Sequence, residues 1–133
     1  MEAAQVKCEL NGESLEIQLK GEIDHHTAAR IREEIDREVY FYRAPRVIID
    51  LSHIDFMDSS GLGLILGRYT KLKDMGSELI LKEPTEEIMK ILKLAGVDKL
   101  IKIQREKDGG KILKVKRSVF VERGKTSNEE KDS

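Results

Sequence analysis

Val47-Ile48-Ile49-Asp50, followed by Ser52-His53-Ile54-Asp55-Phe56-Met57-Asp58-Ser59-Ser60-Gly61-Leu62-Gly63-Leu64-Ile65-Leu66-Gly67-Arg68-Tyr69, is the stretch on which the fold turns. The short apolar run suits an interior strand covered on both faces. Asp50 closes it, a loop is expected from Ser52 to Asp58, and a helix from about Ser60 to Met75. Leu62, Ile65, Leu66, Tyr69 and Leu72 recur at helical spacing and form the stripe that helix would bury. Strand, loop and helix in succession are half of a parallel β-α-β unit.

Working outward, the same alternation repeats. Val6 to Leu10 and Leu15, Ile17 and Leu19 read as a hairpin closed by Asn11-Gly12, with Gly21 as its end. Asp24 or Thr27 can cap a helix through Tyr42, whose stripe is Ala28, Ile31, Ile35 and Val39. Its other face carries Arg30, Arg32, Glu33, Glu34, Asp36, Arg37 and Glu38, as a solvated face does. Gly76 offers a C-terminal cap for the next helix, and Glu78 to Lys82 reads as a strand. Pro84 and Thr85 open a helix through Leu94, Gly96 stops it, and Leu100 to Ile103 is the last strand of the core. These elements predict an α/β fold, a four- to five-stranded mixed sheet packed with about four α-helices.

The chain has 133 residues, enough for one core and not for two. A single domain is expected over residues 1–122, and residues 123–133 are expected to be a disordered charged tail. Asp108-Gly109-Gly110 reads as a turn, and Lys111 to Glu122 as a strand or a terminal helix. The chain holds 24 Lys and Arg against 25 Asp and Glu, a balance that gives no reason to expect nucleic-acid binding. Residues 104–133 nonetheless carry nine basic and six acidic side chains, read as a solvated tail. Cys8 is the lone cysteine, which excludes an internal disulfide, fits a reducing compartment and suits an inert partner of the core. No apolar stretch is long enough to span a membrane and no signal pattern opens the chain, so a cytoplasmic protein is expected.

The Asp58-Ser59-Ser60-Gly61 segment carries the chemistry. It joins a strand's carboxyl end to a helix, where functional residues collect, and Ser59 stands where an N-cap would. Gly61, Gly63 and Gly67 each cost about 1 kcal/mol against alanine inside a helix, so three of them need a compensating reason. A flat surface that another backbone approaches closely supplies one. A hydrolase built on Ser59, His25 or His26, and Asp24 lacks the Gly-x-Ser-x-Gly elbow. His25, His26 and His53 lack the spacing of metal ligands, so no metal and no cofactor is expected.

With these residues in view, residues 52–69 resemble the central motif of bacterial anti-sigma-factor antagonists of the STAS domain family. Gly21-Glu22-Ile23-Asp24-His25-His26-Thr27-Ala28 is similar to the early motif of the sporulation branch, which Gly67-Arg68-Tyr69 also favours. The resemblance covers residues 5–103 and implies the STAS fold. It implies a non-enzymatic antagonist, a monomer when free, that binds an anti-sigma factor which is also a serine kinase and thereby releases a sporulation sigma factor. The kinase, using ATP, would phosphorylate Ser59, with Ser60 the other possible site, and a manganese-dependent serine phosphatase would reset it. Asp24, His25, Asp58, Ser60, Gly61, Gly63, Gly67 and Arg68 are the expected partner-binding residues, Arg68 on condition of being exposed. A STAS module of a general-stress system or of a lipid-transport assembly is the rival expectation.

Overall fold

The computed structural model describes residues 4–108 and 112–113. In chain order these form β1 (Gln5–Asn11), β2 (Ser14–Ile23), α1 (Ala28–Tyr42), β3 (Arg46–Met57), α2 (Ser59–Asp74), β4 (Glu78–Lys82), α3 (Glu86–Leu94), β5 (Lys102–Gln104) and β6 (Ile112–Leu113). Short 3-10 turns at Val97–Lys99 and Glu106–Asp108 flank β5. The strands lie side by side in sequence order. β2 through β5 are parallel, while β1 and β6 are antiparallel at the two edges. The α/β architecture and mixed sheet match the sequence expectation, with a two-residue sixth strand added. Three α-helices stand among the described residues where about four were expected. The alternatives for residues 111–122, save the Ile112–Leu113 strand, and the expectations for Gly109-Gly110 and the 123–133 tail lie outside the described residues.

The period-two pattern of the strands becomes one apolar face. Leu15 pairs with Val47 and Ile17 with Ile49, and Val47 and Ile49 pair in turn with Leu79 and Leu81. All are buried, and they form one cluster with Ile31, Ile35 and Val39 of α1, Ile65 and Leu72 of α2, and Ile88 and Leu92 of α3. Burying side chains of this size stabilises a fold by about 2 kcal/mol each. Glu16, Gln18, Arg46, Asp50 and Lys82 alternate with the buried row and carry the polar face.

Two strands run further than the sequence suggested. β2 does not end at Gly21 but passes through it to Ile23, and β3 runs on through the expected loop to Met57. Register shifts between Gln18 and Lys20 and between Gly21 and Glu22 make this possible. Gly21 has φ 104°, a conformation that only glycine adopts cheaply.

The caps explain where the helices begin and end. Thr85 accepts from the Ile88 N–H at 3.2 Å and starts α3, with Glu86 and Glu87 against its dipole. Gly76, at φ 79°, follows α2, and the Ser77 N–H returns to the Leu72 carbonyl at 2.8 Å.

Cys8 is half-buried on β1, and its thiol is pushed up to about 11 by burial and by Glu38 and Glu34. Against the ordinary 9.0, its thiolate fraction near pH 8 falls about a hundredfold. Alkylation of the native chain at pH 8 is therefore expected to be far slower than that of the unfolded chain, read by mass spectrometry.

Candidate functional site

The site is assembled where β2 and β3 end. The Asp58 N–H donates to the Ile23 carbonyl at 3.2 Å, which fastens the start of α2 to the turn that follows β2. Asp24 and Asp58, each following one of two paired parallel strands, thus belong to one surface.

Asp58, and not Ser59, is the N-cap of α2. Its carboxylate accepts from the Ser60 N–H at 2.7 Å. An ionised carboxylate at a helix N-terminus gains both this hydrogen bond and the dipole interaction, so it outcompetes a neighbouring hydroxyl. Ser59 becomes the first helical residue and is exposed. Among the described residues its hydroxyl has no hydrogen-bond partner, which leaves the oxygen free to react.

Asp24 orders its own turn. Its carboxylate accepts from the His26 N–H at 2.9 Å and the Thr27 N–H at 3.1 Å, while the Thr27 hydroxyl donates to the Glu22 carbonyl at 2.9 Å. The His26 N–H is the main reason the Asp24 carboxyl lies below its ordinary 3.8, with Thr27 adding to it. A depressed carboxyl pKa gives order that is present above 3.8 and lost as pH falls through the folded value. Amide protection at His26 and Thr27 is therefore expected to survive to below pH 3.8, and Asp24→Asn to abolish that acid dependence. His25 is exposed and lies against His26, ring centroids 3.9 Å apart.

The three glycines divide into two kinds. Gly61 is buried, and a Cβ there would lie 2.1 Å from Met57 Cγ and 3.3 Å from Ile23 Cγ2. It lets α2 sit on the ends of β2 and β3, and its expected place on a docking surface gives way to a packing role. Gly63 and Gly67 have open space where a side chain would be. With His25, Ala28, Ala29, Arg32, Ser60, Leu64 and Arg68 they line a groove of about 420 Å³ between α1 and α2.

Arg68 does not meet the condition of exposure. It is only 6% exposed, and its Nε lies 2.9 Å from Asp36 Oδ1 on α1. The helical register that aims Gly63 and Gly67 at α1 also aims the residue one position beyond Gly67 inward. Burial pushes the Arg68 guanidinium below its ordinary value, opposed by Asp36 and reinforced by Arg32. Lys71 Nζ stands 3.7 Å from the other oxygen of Asp36. Sequence reading placed Asp36 on the solvated face, and its partnership had no local signal. Phe56, three residues before Ser59, is 48% exposed, which its place among apolar neighbours in the sequence did not announce.

Among the described residues no three His, Cys, Asp or Glu side chains gather as metal ligands would. No helix of the described residues is long and apolar enough to cross a membrane.

The site is thus an unbonded serine at a helix start, close to an open groove on a small α/β scaffold. Residues 5–109 match the STAS domain, and the chain belongs to that family. It is 32% identical over 99 residues to an anti-sigma F factor antagonist of Paenibacillus polymyxa, covering 74% of this chain and 85% of that one. An anti-sigma-B factor antagonist of Listeria monocytogenes is also 32% identical, over 72% of this chain and 83% of its own. Among solved structures, the anti-sigma factor antagonist SpoIIAA in its unphosphorylated form superposes with a TM-score of 0.65 at 29% identity, over 79% of this chain and 92% of that one. The phosphorylated form of the Bacillus SpoIIAA gives 0.60 at 29% identity, over 79% and 96%.

Proposed function

We propose that this chain is an anti-sigma factor antagonist whose unmodified form binds an anti-sigma factor serine kinase and frees a sporulation sigma factor. Phosphorylation of Ser59 switches the binding off. The observation that carries this reading is the free, exposed Ser59 hydroxyl at the first position of α2, next in sequence to Ser60, which lines the α1–α2 groove. The relatives named anti-sigma factor antagonists, and the related structure known in phosphorylated and unphosphorylated forms, support it. In this reading the chain is a ligand and a substrate and catalyses nothing itself. ATP is consumed by the kinase, and a manganese-dependent serine phosphatase restores the binding form.

The physics favours a switch at the interface. A phosphate on Ser59 adds about −1.5 to −2 charges and three acceptor oxygens. At a helix N-terminus these gain about 0.3–1 kcal/mol from the dipole, so the fold accepts them. A partner seated over α2 must instead accommodate the bulk, strip its water and face its charge beside Asp58. A loss of about 3 kcal/mol there weakens binding roughly a hundredfold. Hydrogen exchange across the core is expected to stay unchanged on phosphorylation; a broad change would refute an interface switch.

The deciding experiment incubates the chain with its cognate anti-sigma kinase and ATP, followed by intact-mass spectrometry. One added phosphate on the wild type and none on Ser59→Ala is expected. Phosphate persisting on Ser59→Ala would move the site to Ser60 or elsewhere. The anti-sigma-B antagonist relative, at the same identity, favours a general-stress system as the second reading. Competition between purified sigma factors for the kinase, with this chain added, separates the two.

A further inference from the structure

The α1–α2 groove differs in charge from the surface around it. Asp24, Asp55 and Asp58 make the ends of β2 and β3 acidic, yet no carboxylate lines the groove. Its polar lining consists of His25, Arg32, Ser60 and Arg68, all able to donate. Its remaining lining is Ala28, Ala29, Gly63, Leu64 and Gly67, four small residues and one leucine. A floor that low admits the backbone of another element to close range.

Small residues alone do not make a site, and Arg68 supplies the second observation. Its side chain is more than nine-tenths buried and lines the groove. Asp36 stands against Nε, but the angle is too poor for a hydrogen bond, and among the described residues no acceptor meets Nη1. Nε and Nη1 are both closed to solvent, so a carboxylate in the groove meets the charge of Arg68 across a poorly screening wall rather than through a hydrogen bond to either nitrogen. Arg32 is exposed at the same groove, with no ion-pair partner among the described residues. The charged and titratable groups around Arg68 are Asp36, Arg32 and Tyr40 on α1 and Lys71 on its own helix. Asp36 is shared between Arg68 and Lys71, so three cations with Arg32 stand around one carboxylate and leave the groove net positive.

We propose that the α1–α2 groove receives an acidic side chain of the docking partner, which Arg32 and Arg68 hold from the wall while Gly63 and Gly67 admit its backbone. This rests on the proposed function for the identity of the partner, but the chemistry of the groove is testable without it. Ser59 then modulates a contact whose specificity lies in the groove beside it.

The first arm uses the free full-length chain and sodium acetate as the probe. Acetate is expected to shift the Arg68 Nε–H and the Gly63 and Gly67 amide resonances saturably, beyond any effect of sodium chloride at matched ionic strength. Gly67→Leu, which fills open space, is expected to abolish the response with the fold retained. Equal responses to both salts, or none, would overturn the proposal. The second arm uses the anti-sigma kinase. Arg32→Glu is expected to weaken binding about tenfold, and one Asp or Glu→Arg exchange in the kinase to restore it. Unchanged binding by both Arg32→Glu and Gly67→Leu would overturn the groove and leave the function standing. An acetate response with no kinase binding by the wild type would uphold the groove and reject the function.

Discussion

Asp36→Ala is expected to destabilise the fold by about 3 kcal/mol, because it strands the buried Arg68 guanidinium without its counter-charge. For a domain of this size that lowers the melting temperature by about 15 °C. Arg68→Met is expected to cost less, about 1 kcal/mol. It leaves Asp36, with a side chain 19% exposed, in reach of water and of Lys71 Nζ at 3.7 Å. The double variant Asp36→Ala/Arg68→Met should fall near the Arg68→Met value and far from the sum, since both changes remove one pair. Urea melts of the four proteins decide it. Additive costs would show that the two side chains act independently and that the pair does not tie α1 to α2.

Gly61→Ala is the second large effect. The new methyl would meet Met57 Cγ at 2.1 Å, and Met57 is itself buried between the sheet and α2. Helix propensity returns about 1 kcal/mol, and overpacking costs about 1–3 kcal/mol, so a net loss of up to about 2 kcal/mol is expected. Gly63→Ala and Gly67→Ala meet no atoms and should stabilise α2 by up to about 1 kcal/mol each. Thermal melts of the three variants test this division directly. A Gly61→Ala protein as stable as the wild type would mean that Met57 yields, and that α2 is less firmly seated on the sheet than its contacts indicate.

The elements of the fold were legible because each announces itself locally. The Val47-Ile48-Ile49 run, the α1 stripe of Ile31, Ile35 and Val39, and the Thr85 cap all survive intact. What was illegible depended on partners distant in sequence. β3 runs through the expected loop because Phe56 and Met57 pair with Glu22 and Ile23, and no property of residues 52–57 alone reveals that pairing. Asp58 displaced Ser59 as the cap because two good capping residues stand adjacent, and sequence cannot rank them without the direction in which β3 delivers the chain. Whether Arg68 is exposed was left as a condition, since arginine is mostly a surface residue; only the facing Asp36 makes its burial tolerable. Gly61, Gly63 and Gly67 looked alike in sequence and are separated by what each faces, Met57 for the first and open space for the others.

The ordering of the strands has a consequence for how the protein is made. Because every strand lies beside its predecessor in the chain, the sheet grows by one strand at a time as the polypeptide leaves the ribosome. Each new strand finds its template already in place, and no strand waits for a later one to be inserted between two others. Once β3 has paired with β2, the turn holding Ser59 is anchored by Asp58 to Ile23, a contact that needs only the first 58 of the 133 residues. The unfinished edge at every stage is the one the next segment covers, so each open edge lasts only until its own neighbour in the chain is made.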